Sequence, residues 1–189
     1  MENDFKRVIS FDIDGILVDY PKCWLKYIEM QRGSLFLSTV EAKEELGINE
    51  YEILKFQYRM SDYKYSLDIN VVMLELNNWL YENNFEVIVS TSRPIESIDY
   101  PNMKKNIEKW LDSKGFYFSR IIHKSQSIKN LDSVYSNVLF HIDDEVKFAK
   151  YFSKNSINSL LLSEENVSHE GVIVFSSLSE MSEYIKGNV

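Results

Sequence analysis

Three short segments gather the side chains that could do chemistry: Asp12-Ile13-Asp14-Gly15, Thr91-Ser92-Arg93-Pro94 and Asp143-Asp144. An apolar run leads into each of them, so each reads as the end of a buried strand. If the fold brings these ends together, Asp12, Asp14 and Asp143 form a pocket of oxygen ligands. Carboxylates gathered in this way repel one another unless a hard cation neutralises them. Mg²⁺ suits such a set, because it takes a few carboxylates, waters and a phosphate oxygen. A bound divalent ion also keeps a carboxylate ionised and able to attack. An aligned nucleophile, a proton shuttle and positive charge on the equatorial oxygens are what phosphoryl transfer requires.

Each residue also has a purely structural reading. Asp-x-Asp-Gly is common in turns. Thr91 can cap the segment that follows it. Asp143 and Asp144 precede a helical pattern, where the macrodipole favours acids. Arg93 can contact a substrate phosphate or pair with a surface acid. A calcium loop is excluded, since Gly15 comes too early and Cys23 stands at the terminal ligand position. Neither the Gly-x-x-x-x-Gly-Lys-Ser/Thr loop nor the Gly-x-Gly-x-x-Gly turn occurs. His123, His141 and His169 show no paired metal spacing, and His141 reads as a sheet residue. The single cysteine, Cys23, leaves no disulfide framework and no cysteine-rich zinc site.

The elements that must position these groups alternate. Strands are expected over 8–11, 85–90, 120–123, 138–142, 159–162 and 172–175. Helices are expected after Pro21 up to Gly33, from Ser38 to a stop at Gly47, and again with Tyr51, Leu54 and Tyr58 on one face. Further helices carry Ile69 to Leu80, Met103 to Leu111, Val146 to Phe152 and Leu178 to Lys186. This order implies an α/β fold, a three-layer Rossmann-like parallel sheet with its strand carboxyl ends along one edge, where ligands bind. Residues 20–68 show no strand alternation and read as a small helical insert, which leaves 1–19 and 69–189 as the core.

With 189 residues, 44% of them hydrophobic, the chain can build one sizeable core. The net charge of −8 disfavours nucleic acid and anionic lipid as partners but leaves room for a small anion in a local cationic pocket. The polar start Met1-Glu2-Asn3-Asp4-Phe5-Lys6-Arg7 does not suit a signal peptide, and no apolar run reaches membrane-spanning length, so a cytoplasmic location is expected.

Val8-Ile9-Ser10-Phe11-Asp12-Ile13-Asp14-Gly15-Ile16-Leu17-Val18-Asp19 closely resembles the first motif of the haloacid-dehalogenase-like hydrolases. Val87-Ile88-Val89-Ser90-Thr91 resembles their second motif, and Val138-Leu139-Phe140-His141-Ile142-Asp143-Asp144 their fourth. For the third, a lysine with little sequence around it, Lys124 fits and Lys129 competes. The resemblance implies phosphatase chemistry on a small phosphomonoester through an aspartyl phosphate. Asp12 would be the nucleophile, Asp14 the acid and base, Thr91 a donor to the phosphoryl group, and Lys124 the neutralising charge. Mg²⁺ would sit among Asp12, the Asp14 carbonyl and Asp143, with Asp144 positioning water or Lys124.

An insert after the first motif is, in that family, a cap over the site. Arg59 and Lys64 on it, with Arg93, are the candidate substrate-binding residues. The aromatic residues around them, Trp24, Tyr27, Tyr58, Tyr63 and Tyr65, either stack a base or sugar or pack the insert itself. The paired acids and Thr-x-Arg-Pro look like some 5′-nucleotidase relatives, which makes a nucleoside monophosphate the first candidate substrate. The competing functions are a phospho-Asp signalling domain, a non-catalytic binding module of the same architecture and a polynucleotide-end phosphatase. A signalling receiver carries its acidic pair early and its phosphorylated Asp later, the reverse of the order here.

Overall fold

The apolar run Val8–Phe11 forms β1, buried at all four positions. A strand with no solvent-facing side reads as a continuous apolar run, and that places β1 in the sheet interior. The computed structural model describes residues 7–124, 137–165 and 168–189. It contains five further strands: β2 (Glu86–Thr91), β3 (Arg120–His123), β4 (Val138–Asp143), β5 (Asn158–Leu162) and β6 (Val172–Phe175). They form one sheet in the order β3-β2-β1-β4-β5-β6, and every neighbouring pair is parallel. The fold is the α/β, three-layer, Rossmann-like parallel sheet expected from the sequence.

Alternate residues face opposite layers. Ile9, Phe11, Val87, Val89 and Ile142 share a core with Met73, Leu76 and Leu80 of α4 (Val71–Glu82) and with Met181 and Ile185 of α7 (Leu178–Gly187). Val8, Ile88, Ile122 and Val138 pack instead with Phe152 of α6 (Val146–Lys154), Val138 lying on the face opposite Ile142 because the register of β4 on β1 shifts by one residue after it. One helix face is closed by a buried amide. Asn77 of α4 donates to the Tyr117 carbonyl at 2.8 Å and accepts the Tyr117 N–H at 2.7 Å, as a neighbouring strand would. This ties α4 to the loop after α5 (Met103–Ser113) that leads into β3.

Three helices lie between β1 and α4: α1 (Lys22–Arg32), α2 (Thr39–Met60) and α3 (Asp62–Ser66). The Ser38 hydroxyl accepts the Glu41 N–H at 3.1 Å, and the Glu41 carboxylate accepts the Leu37 N–H at 2.7 Å, so the expected cap starts α2. Gly47 interrupts α2 with φ 75 and ψ 157, the break anticipated between two helices. Helix α3 was not anticipated. Ser61, extended at φ −79 and ψ 148, separates it from α2, and five residues are too few to show a period. The aromatic residues of this segment pack on one another: Trp24 against Tyr58 at 5.2 Å and Tyr27 against Tyr63 at 5.7 Å between ring centroids. The Trp24 indole N–H donates to the Tyr51 hydroxyl at 3.0 Å. Packing of the segment itself therefore accounts for most of its rings. Among the described residues no helix is long and apolar enough to cross a membrane.

Replacing Asn77 with Leu leaves both Tyr117 backbone groups without their partner. We expect a loss of about 1–3 kcal/mol, read as a lower urea midpoint at unchanged slope.

Candidate active site

Parallel pairing sets which residues meet at the strand ends. Phe11 lies beside Val89 on one side and Ile142 on the other, and the Asp12 N–H donates to the Ile142 carbonyl at 2.9 Å. Asp12 and Asp143 therefore leave adjacent strands at the same level. Thr91 is in register with His123, which places Lys124 immediately beyond β3. The Lys124 ammonium lies 3.0 Å from Asp12 Oδ2 and 2.7 Å from Asp143 Oδ2. Lys124, not contiguous with either acid in sequence, is the lysine at this point. Lys129 lies outside the described residues.

All of these groups are buried: Asp12 is 2% exposed, Lys124 1% and Asp143 0%. Burial and then the neighbouring Asp143 charge push the Asp12 carboxyl well above the ordinary carboxylate range, against the pull of Lys124. Burial also opposes ionisation of Asp143. The His141 hydrogen bond and the Lys124 charge overcome it and hold Asp143 low. Asp144 rises to about 7, through burial and then Asp143. One carboxylate oxygen from each of Asp12, Asp143 and Asp144 can lie within 4.8 Å of the others. A single lysine cannot neutralise three such groups. The all-oxygen, anionic donor set fits a hard divalent cation.

His141 and Ser10 belong to this network, and the sequence reading missed their part in it. His141 Nε2 lies 2.8 Å from Asp143 Oδ2 and Nδ1 lies 3.0 Å from the Ser10 hydroxyl. Burial lowers the His141 pKa, so the neutral ring donates from Nε2 to Asp143 and accepts from Ser10. His141 is thus a satisfied sheet residue, as anticipated, and it also orients Asp143. The available signal was alternation: positions 141 and 143 share a face, and Ser10 is the cross-strand partner of His141.

Asp14 and Arg93 form a second centre. Arg93 Nε donates to Asp14 Oδ2 at 2.9 Å and Nη2 to Oδ1 at 2.6 Å, a bidentate pair. Burial works against the Asp14 charge, but the Arg93 guanidinium holds its carboxyl well below the usual range. Arg93 therefore pairs with a site acid, not with a surface one. Thr91 is fully buried, and its Oγ1 accepts the Arg93 N–H at 3.1 Å. That bond folds the turn onto the site and leaves the Thr91 hydroxyl proton to donate elsewhere.

The turn after Asp12 depends on Gly15. Its φ is +86, and a Cβ there would stand 2.0 Å from Asp144 Oδ2. Only glycine lets the two loops approach this closely.

Above the acids lies a cavity of about 190 Å³. Asp14, Ser92, Arg93, Asp144 and Glu145 line it from the strand ends, and Tyr20, Lys55, Tyr58, Arg59 and Lys64 from the helical segment. The candidate substrate residues Arg59, Lys64 and Arg93 thus meet at one cavity. Lys55 and Tyr20 join them without having been singled out, since a lysine in a helical pattern reads as solvated. Lys64 is 3% exposed. Burial and then Arg93 push its pKa down to about 7. Burial and then Arg59 lower Lys55 to about 8.

No protein-family model and no curated protein sequence matches the chain. Solved structures do. A candidate beta-phosphoglucomutase from Thermotoga maritima superposes with a TM-score of 0.65 at 14% identity, over 97% of this chain and 100% of that one. A haloacid dehalogenase-like family hydrolase from Streptococcus pneumoniae gives 0.61 at 14% identity, over 95% and 98%. A D,D-heptose 1,7-bisphosphate phosphatase from B. bronchiseptica, complexed with magnesium and phosphate, gives 0.56 at 11% identity, over 97% and 99%. These likenesses run through nearly the whole length of each chain, and so the chain has the haloacid-dehalogenase-like fold.

Proposed function

We propose that this protein is a Mg²⁺-dependent phosphatase that hydrolyses a small phosphomonoester through an aspartyl phosphate on Asp12. One observation carries this reading: Asp12, at the end of the central strand, pairs with Lys124 at 3.0 Å beside the carboxylates of Asp143 and Asp144. Buried acids with perturbed pKa values beside a cavity are characteristic of reactive sites. The haloacid-dehalogenase-like fold adds support by analogy, including the magnesium and phosphate held by the heptose bisphosphate phosphatase.

In the first half-reaction an Asp12 carboxylate oxygen bonds to phosphorus and the P–O bond to the leaving group breaks. Asp14 delivers a proton to the departing oxygen. Lys124 balances charge on Asp12 and the phosphoryl oxygens, and the Thr91 hydroxyl donates to one of those oxygens. In the second half-reaction Asp14 takes a proton from water, which attacks phosphorus and releases Asp12. The bidentate grip of Arg93 keeps Asp14 ionised, the state this second step needs. The acid step requires the guanidinium to be drawn from Asp14 onto the substrate phosphate. Asp12, Asp143, Asp144 and the Asp14 main-chain carbonyl would hold Mg²⁺, which would supply positive charge against the phosphoryl oxygens and keep Asp12 ionised. Asp143 is oriented for that task by His141 and by the Glu145 N–H, which donates to its Oδ1 at 2.9 Å.

Residues 20–68 act as a cap on the core formed by 1–19 and 69–189. The support is their position over the strand ends and their share of the cavity wall. Such a cover limits water at the reacting phosphorus and brings Arg59 and Lys64 to the substrate. A nucleoside monophosphate is the nucleotidase form of this reading.

Asp12→Asn is expected to lower turnover of an aryl phosphate by about a thousandfold or more, with the circular dichroism spectrum unchanged. Chelation of divalent ions should likewise abolish wild-type activity, and Mg²⁺ should restore it. Full activity in the Asp12→Asn protein would overturn the assignment. Gly15→Ala, which drives a methyl group into Asp144, should raise the Mg²⁺ concentration for half-maximal rate by about tenfold or more.

A further inference from the structure

The cavity holds more cationic charge than its acids can balance. Of its three acids, Asp14 is paired with Arg93 and Glu145 with Lys147, which leaves Asp144, grouped with the Asp12 and Asp143 carboxylates, against three further cations. Lys55, Arg59 and Lys64 form no ion pair among the described residues. The Lys64 ammonium lies 5.0 Å from the centre of the Tyr58 ring, and Lys55 donates to the Tyr20 hydroxyl. Arg59 reaches only the Tyr100 hydroxyl, at 3.4 Å. A lysine that is 3% exposed, with no carboxylate at ion-pair distance and only the charge of Asp14, itself gripped by Arg93, to offset its own, is costly to keep charged. The concentration of cations also runs against the net charge of −8.

We propose that the substrate carries a second anionic group, a phosphate or a carboxylate, on a short carbon frame, and that Lys64, Arg59 and Lys55 bind it. This rests on the phosphatase reading for the first group, the one cleaved at Asp12. The two anions then divide the site. The scissile phosphate takes Lys124, Thr91 and Arg93, and the second group takes the three cations of the helical segment. The frame is short because the cavity measures about 190 Å³, below the roughly 300 Å³ at which pockets for drug-sized ligands begin. A base and ribose would have to reach out through the open side of that space. The rings at its wall are also engaged, Tyr20 by the Lys55 ammonium 4.5 Å from its centre and Tyr58 by Trp24 and Tyr27 at 5.2 and 5.3 Å between centroids.

The test uses full-length protein with Mg²⁺ and alkanediol monophosphates over a series of short chain lengths. Each is paired with the bisphosphate and with the ω-carboxylate of the same frame, and AMP stands for nucleoside monophosphates. At one chain length the partner with a second anionic group should exceed its hydroxyl partner in kcat/KM by about tenfold or more. Which partner gains identifies phosphate or carboxylate as the second group. Lys64→Met should collapse that ratio, and Arg59→Met provides the same measurement at a less buried position. Equal kcat/KM across all pairs, or AMP preferred over every compound with two anionic groups, overturns the proposal and leaves the phosphatase reading standing. Calorimetric binding of the same compounds to Asp12→Asn separates the two claims. Tighter binding of the compounds with two anionic groups, without any wild-type turnover, supports the anion site and overturns the phosphatase reading alone.

Discussion

The ion pairing of Lys124 with Asp12 and Asp143 is the constraint around which the molecule is arranged. Two carboxylates on adjacent parallel strands, both buried, repel each other strongly in a medium that screens poorly. One ammonium between them offsets part of that repulsion. It does not offset Asp144 as well, and the upward displacement of Asp12 and Asp144 expresses the remaining imbalance. The arrangement is therefore tuned to accept further positive charge. An uncompensated buried charge costs several kcal/mol, so removing any one partner is felt by the others.

Meeting this constraint requires strands in an order the chain does not follow. β2 lies between β3 and β1, so the backbones that carry Lys124 and Asp12 stand about 10 Å apart, two strand spacings. Only a long side chain spans that gap, and lysine's compact ammonium can serve two carboxylates at once. On the other side β4 lies directly beside β1, and their register brings Asp143 level with Asp12. His141 and Ser10, on the face covered by α6, then fix Asp143 from behind.

Two centres of charge result. At the strand ends acids outnumber cations, and on the cavity wall that the helical segment supplies Lys55, Arg59 and Lys64 stand without an acid. Arg93 stands at the boundary, holding Asp14 from one side and lining the cavity from the other. A ligand with anionic oxygens, together with a divalent ion below it, complements both. The aromatic residues hold the upper centre in place: Trp24, Tyr27, Tyr51 and Tyr58 pack on one another and carry α2 over the sheet edge.

The amino-acid sequence by itself determined the strands, because buried parallel strands are short apolar runs whose signal is local. It also determined which strands end in acids, since Asp12, Asp14, Asp143 and Asp144 follow those runs directly. The capped start of α2 and its break at Gly47 were legible for the same reason: Ser38, Glu41 and Gly47 act within a turn or two of the backbone. Tertiary structure alone decided what meets across the sheet. That Arg93 grips Asp14, that Ser10 meets His141 behind Asp143, and that Lys64 and Lys55 turn inward are consequences of contacts between residues far apart in the chain. Burial sets their charge states, and burial is a property of the packed molecule that no single stretch of residues carries.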